Sequence, residues 1–160
     1  MSKIQLTLVL VVAGVLASAC SSPTTEAPGA IAEADDQAAY SEFTTRAVGF
    51  GDAFGIGLES LGTAAVDFDL DALAGTAASQ HRLLDIELAW LESHPPAACY
   101  ADLHARWQRA LEMYNLGMTG MEAALVTLDL DSLNESTATV VDANELLGAA
   151  TDAISLVDCA

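Results

Sequence analysis

The chain has 160 residues, of which 23 are acidic and five are lysine or arginine, giving a formal net charge of −18 at pH 7. Such a balance repels phosphate backbones and anionic headgroups, so nucleic acid is excluded as a partner. Lys3 is the one lysine, and beyond it the only bases are Arg46, Arg82, Arg106 and Arg109.

The first element in chain order is an apolar run from Ile4 to Ala17 behind Lys3, which leads into Ala17-Ser18-Ala19-Cys20. It is shorter than the roughly 20 apolar residues a membrane span needs and has the layout of a secretory signal. Small residues directly before a cysteine, with Leu16 upstream, resemble the lipobox of bacterial lipoproteins. That resemblance implies cleavage after residue 19, acylation of Cys20 as the new N-terminus, and a domain held outside the cytoplasm by covalent lipid. Ser21 stands where aspartate would resemble an inner-membrane retention signal, which favours the outer membrane if the source is Gram-negative. The resemblance ends there and does not reach the domain that follows.

Ser21 to Gly29 is rich in serine, proline and threonine, with almost no apolar bulk, and reads as a flexible tether. The expected organisation is therefore a signal peptide over 1–19, a lipidated cysteine and tether over 20–29, and one domain over 30–160. A domain of that size buries a core without a metal or a dense disulfide framework.

Four apolar stripes at intervals of three or four residues follow. Phe43, Ala47, Phe50, Phe54, Leu58 and Leu61 make the first, and Leu70, Leu73, Ala77, His81, Leu84, Leu88 and Leu91 the second. Tyr100, Leu103, Trp107, Leu111, Tyr114, Met118, Met121, Leu125 and Leu128 make the third. The fourth holds Leu130, Leu133, Thr137, Val140, Asn144, Leu147, Thr151 and Ile154. No stretch alternates with a period of two, so the fold class is all-α, a four-helix bundle in which each helix buries its stripe against the others.

The punctuation agrees. His94, Pro95 and Pro96 end the second helix, because proline lacks an amide hydrogen and restrains the residue before it. Asp67, Asp69 and Asp71 precede the second helix, Asp129 and Asp131 the fourth, as acids that accept from free amides do; Ser132 with Glu135 fits a capping box. Phe68-Asp69-Leu70-Asp71-Ala72-Leu73 matches Leu128-Asp129-Leu130-Asp131-Ser132-Leu133 at an offset of 60, which also superposes Arg46 on Arg106 and Gly57 on Gly117. The expectation is two related helical hairpins, with the cleft between them the natural place for a ligand.

Cys99 and Cys159 are expected to pair once Cys20 is lipidated, as a structural bridge, since a redox pair would normally use Cys-x-x-Cys spacing. In the first helix, Ala47, Gly51 and Gly55 recur every four residues and would admit a close neighbour, unless the helix breaks near Gly51 with Asp52 capping a second segment.

Candidate chemistry is sparse. Asp67-x-Asp69-x-Asp71 opens like a calcium loop, but Ala72 and Ala78 stand where glycine and a bidentate glutamate are needed, so capping is the better account. His81 and His104 are the candidate metal ligands, with His104 expected near the level of Ile86 and within reach of Asp85 or Glu87. Met113, Met118 and Met121 would serve as soft ligands or as core filler. No Cys-x-x-Cys-His motif attaches haem, no cofactor is implied, and no serine, histidine and acid motif supports an enzyme. The functional reading is a membrane-anchored module that binds or scaffolds another envelope component. Its alternative is a small-ligand or metal-binding lipoprotein with a site between the hairpins.

Overall fold

Four helices form, α1 (Pro28–Val66), α2 (Leu70–Ser93), α3 (Ala101–Thr127) and α4 (Leu130–Ile154), with a 3-10 turn over Ala98–Tyr100. The structure, a computed structural model, describes residues 28–159. The signal segment, Cys20 and the tether up to residue 27 therefore lie outside the described residues. Among the described residues there is no strand, and the expected all-α four-helix bundle is the fold. No helix among them is long and apolar enough to cross a membrane. Helix α1 starts at Pro28, so the last two residues of the expected tether belong to it; proline suits a first turn, where its missing amide hydrogen has no partner to lose.

The two hairpin turns are built alike. Phe68 (φ 55°) and Leu128 (φ 54°) both take the left-handed conformation. The next amides, of Asp69 and Asp129, each donate at 3.0 Å to the carbonyls of Ala64 and Ala124 and so close the ends of α1 and α3. The same two aspartates then cap the next helix: Asp69 accepts from the Ala72 amide at 3.0 Å, and Asp129 from those of Asp131 and Ser132. The Ser132 hydroxyl also donates to Asp129, at 2.8 Å, and holds that carboxyl below its usual range. This corrects the expected capping box of Ser132 and Glu135, because the helix begins three residues earlier than that box requires.

Helix α3 is the centre of the bundle. It packs against α2 and α4, and aromatic side chains reach it from α1 across the diagonal. Phe43 stacks on Tyr100 at 5.5 Å between ring centroids, Phe50 meets Trp107 edge-on at 6.4 Å, and Phe54 meets Tyr114 edge-on at 4.7 Å. Each such pair adds about 0.5–1.5 kcal/mol beyond area burial. Phe43, Phe54, Trp107 and Tyr114 are all fully buried, as the first and third stripes predict.

Polar links complete the base of the bundle. Arg46 Nε donates to Glu87 Oε2 at 2.8 Å, while the guanidinium lies 4.6 Å from the Trp90 ring centroid. Burial pushes the Glu87 carboxyl above its ordinary value, and the Arg46 charge pulls it part of the way back. The Tyr40 hydroxyl donates to the Ile154 carbonyl. Cys99 and Cys159 form a disulfide with their Cα atoms 5.3 Å apart, tying the start of α3 to the segment after α4.

Candidate binding surface

Two kinds of seam decide where the bundle stays open. Between α3 and α4 the approach is close where the residues are small: Gly117 faces Ser136 and Val140, Gly120 faces Ser136, and the buried positions of α4 are Ser136, Ala143 and Ala150. An added Cβ at Gly117 would come within 2.7 Å of Val140 Cγ2 and 3.2 Å of the Ser136 carbonyl oxygen, so the two backbones approach as closely as glycine allows. Across the α1–α3 diagonal the contacts are aromatic rings, which need room. Helix α4 is thus drawn onto α3, and the edge between α1 and α4, bridged at the base by Tyr40 and Ile154, stays open towards the hairpin turns.

This changes the role of the fourth stripe. Its buried positions in α4 are Ser136, Ala143 and Ala150, spaced by seven, and not the stripe of Leu133, Thr137, Val140, Asn144 and Leu147. That stripe is half-buried or exposed along the open edge. There Leu133, Thr137, Val140 and Asn144 line a groove of about 350 Å³ with Leu58 and Leu61 of α1, Leu73 of α2 and Met121 of α3. The wall is apolar almost throughout. Two polar side chains stand in it: Thr137, whose hydroxyl donates to the Leu133 carbonyl at 2.8 Å, and Asn144, whose Oδ1 accepts from the Tyr114 hydroxyl at 2.9 Å. Burial pushes the Tyr114 hydroxyl up to about 12, so it remains a donor at any physiological pH.

The groove ends at the hairpin turns. Leu61, Leu73, Met121 and Leu133 come from all four helices and sit within two turns of the tips, which brings the two tips side by side. Beyond them Val66, Phe68 and Leu70 on one turn, and Val126, Leu128 and Leu130 on the other, are all at least half exposed. Leu70, Leu128 and Leu130 were expected to continue the buried stripes. They lie past the last packed turn, where no neighbouring helix remains to cover them.

The first-helix glycines need correction too. Helix α1 runs without a break, and at Gly49, Gly51 and Gly55 an added Cβ would meet nothing within 4 Å. They neither admit a close neighbour nor interrupt the helix. Gly57 alone of that cluster is approached, by the buried Gln80 side chain, at the position that matches Gly117 and Val140 one repeat later.

The histidines are separated. His81 is half-buried, with Nδ1 3.1 Å from Glu122 Oε1 and Nε2 3.8 Å from Asp85 Oδ1. His104 is buried against Phe43 and Tyr100 about 15 Å further along the bundle, at the level of Leu91 and His94 and not of Ile86. Burial lowers its pKa, opposed by the carbonyls of Leu91 and His94. Neither Asp85 nor Glu87 partners it: Asp85 faces His81 and Glu87 faces Arg46. Among the described residues no group of three or more histidine, cysteine or acidic side chains is spaced to hold a metal ion. Met118 and Met121 are buried in the core and Met113 packs against it.

Sequence reasoning passed over Phe68 and Leu128. The signal was present, since a helix end closed by a left-handed residue ordinarily carries glycine or asparagine there, and both copies carry a large apolar residue instead. Comparison of the chain with known protein families, characterised proteins and solved structures found no match, so the functional reading stands on this chain's own geometry.

Proposed function

We propose that the chain is a lipid-anchored extracytoplasmic module whose acidic bundle binds or scaffolds another component of the cell envelope. The observation that carries this reading is the apolar groove left open between α1 and α4. Closing that edge would complete the burial of Leu133 and Val140, which the core covers only in part, and burial of apolar area stabilises by roughly 25 cal/mol per Å². A bundle selected for stability alone has every reason to close it. Anchoring through Cys20 complements the geometry, because α1 rises about 57 Å from Pro28 to Val66 and carries the groove and tips away from the membrane. The proposed role is recognition, carried by the apolar wall of the groove.

The test has two parts. Palmitate labelling should be lost in Cys20→Ser, and a photo-reactive residue placed at Val141, which lines the groove and is exposed, should crosslink another envelope protein in intact cells. Crosslinks at Val141 to lipid alone, or to nothing, would count against the reading. A second reading uses the same groove for a small apolar ligand, favoured by a volume within the ordinary range of ligand pockets, roughly 300–1,000 Å³. Native mass spectrometry that finds a bound small molecule in place of a crosslinked protein would select it.

A further inference from the structure

We infer that the paired hairpin tips form a docking surface for one kind of partner, a protein presenting an apolar patch ringed by lysine or arginine. The inference rests on the binding-module reading above and adds the place of contact and the chemistry of what makes it.

Three observations converge on the tips. Val66, Phe68, Leu70, Val126, Leu128 and Leu130 expose large apolar side chains at the two tips, with Phe68 88% exposed. Among the described residues none of the six belongs to the core or to the half-buried shell packed against it. Secondly, Phe68 and Leu128 hold left-handed backbone, which glycine adopts without penalty and a residue with a side chain does not. At both turns, then, an unfavourable residue for the backbone is also an unfavourable residue for the solvent. A contact outside the domain accounts for both at once.

The third observation is charge. Asp67, Asp69, Asp71, Asp129 and Asp131 surround the six apolar residues and are all exposed. Arg82, the arginine nearest along the described helices, lies twelve residues from Leu70, or about 18 Å along α2, which exceeds the Debye length of about 8 Å at physiological salt. Five carboxylates are therefore unbalanced at the tip. A second copy docking tip to tip would set these carboxylates against their own kind. On the proposed anchoring through Cys20, the bilayer lies at the other end of α1. The complement of an apolar patch rimmed by unbalanced acid is an apolar patch rimmed by base, which gains in encounter rate and register from the opposite charge.

The test uses the full-length protein in phosphatidylcholine nanodiscs, with empty nanodiscs subtracted, and two labelled helical peptides that share one leucine face but carry lysine flanks or glutamate flanks. The lysine-flanked peptide should bind at least about tenfold more tightly than its twin, and the difference should shrink as salt is raised. Phe68→Ser with Leu128→Ser should abolish binding of both. Asp67→Asn, Asp71→Asn and Asp131→Asn together, which leave the capping Asp69 and Asp129 intact, should at least halve the preference for the lysine-flanked twin while the helix content and melting temperature stay those of the parent. Equal binding of the twins by the parent protein, or parental selectivity in the triple variant, overturns the inference. So does tip-dependent self-association in place of peptide binding. Photo-crosslinking separates the two levels: a protein captured from Val141 but never from positions 68 and 128 defeats this inference and leaves the binding module standing, whereas no protein captured from any of them defeats both.

Discussion

Gly117→Ala tests the account of why the groove exists. The added methyl would lie 2.7 Å from Val140 Cγ2 and 3.2 Å from the Val140 amide nitrogen and the Ser136 carbonyl oxygen. Two of those three atoms are backbone, and the third belongs to a β-branched side chain with little rotameric freedom. Helix α4 must therefore move, at an overpacking penalty of about 1–3 kcal/mol. Alanine for glycine inside a helix gains about 1 kcal/mol in propensity, which partly masks that penalty. Gly55→Ala supplies the reference, because its new methyl meets nothing within 4 Å and gains the propensity term alone. Urea denaturation followed by far-ultraviolet circular dichroism should show Gly55→Ala stabilising by roughly 1 kcal/mol and Gly117→Ala falling below it by about 1–3 kcal/mol. Val140→Ala in the Gly117→Ala background should recover part of the difference. Two glycine variants within about 0.5 kcal/mol of each other would refute the close α3–α4 seam, since additivity of separate sites holds to that level.

Three further outcomes are expected. Arg46→Met leaves the Glu87 carboxylate buried without its partner and should cost about 2–3 kcal/mol at pH 7, below the range for fully buried pairs because Arg46 is 32% exposed. Losing Arg46 raises the folded pKa of Glu87 further above its ordinary 4.5, so the folded state holds that proton more tightly than the unfolded one. The penalty should therefore grow as pH rises from 4.5 through the folded value and shrink on acidification, and Glu87→Gln in the same background should remove this dependence. Reduction of the disulfide, or Cys99→Ser with Cys159→Ser, should lower stability by about 4 kcal/mol, from the loop-closure entropy of a 60-residue separation, as read from denaturation midpoints with and without reductant. Phe68→Asn with Leu128→Asn should leave stability unchanged or raise it by about 1 kcal/mol, because asparagine tolerates the left-handed backbone better; a clear loss in a melting experiment would mean the tips pack on the domain after all.

How far the sequence could be read depended on which force set each feature. The four helices were legible because apolar periodicity is a local property, and the core rings Phe43, Phe54, Trp107 and Tyr114 fell where their stripes placed them. The turns were legible because the motif around Asp69 and Asp129 occurs twice. The open edge was not, because it follows from a competition between seams: alanine and glycine drawing α4 onto α3, rings holding α1 at a distance. A helical stripe records which face is apolar and not how fully it will be covered, so Leu133, Val140 and Leu147 read as core. The glycines misled for a related reason. Gly51 and Gly55 have the spacing of a close contact, yet the contact is made at Gly57 and Gly117, and only the position of the neighbouring helix distinguishes them. His104 was placed too far from the linker because the 3-10 turn over Ala98–Tyr100 shifts the start of α3, bringing it level with Leu91 and His94.

The disulfide has a mechanical consequence. Cys99 and Cys159 are spaced by the same 60 residues as the repeat, so the covalent ring they close encloses one whole hairpin and excludes the other. Half of the molecule is a loop sealed on itself, and the other half is an arm held by packing and a handful of polar links. Breathing motions should accordingly be unequal, with amide hydrogens of α1 and α2 exchanging sooner than those of α3 and α4. A guest entering along the α1 edge would push against the side that yields.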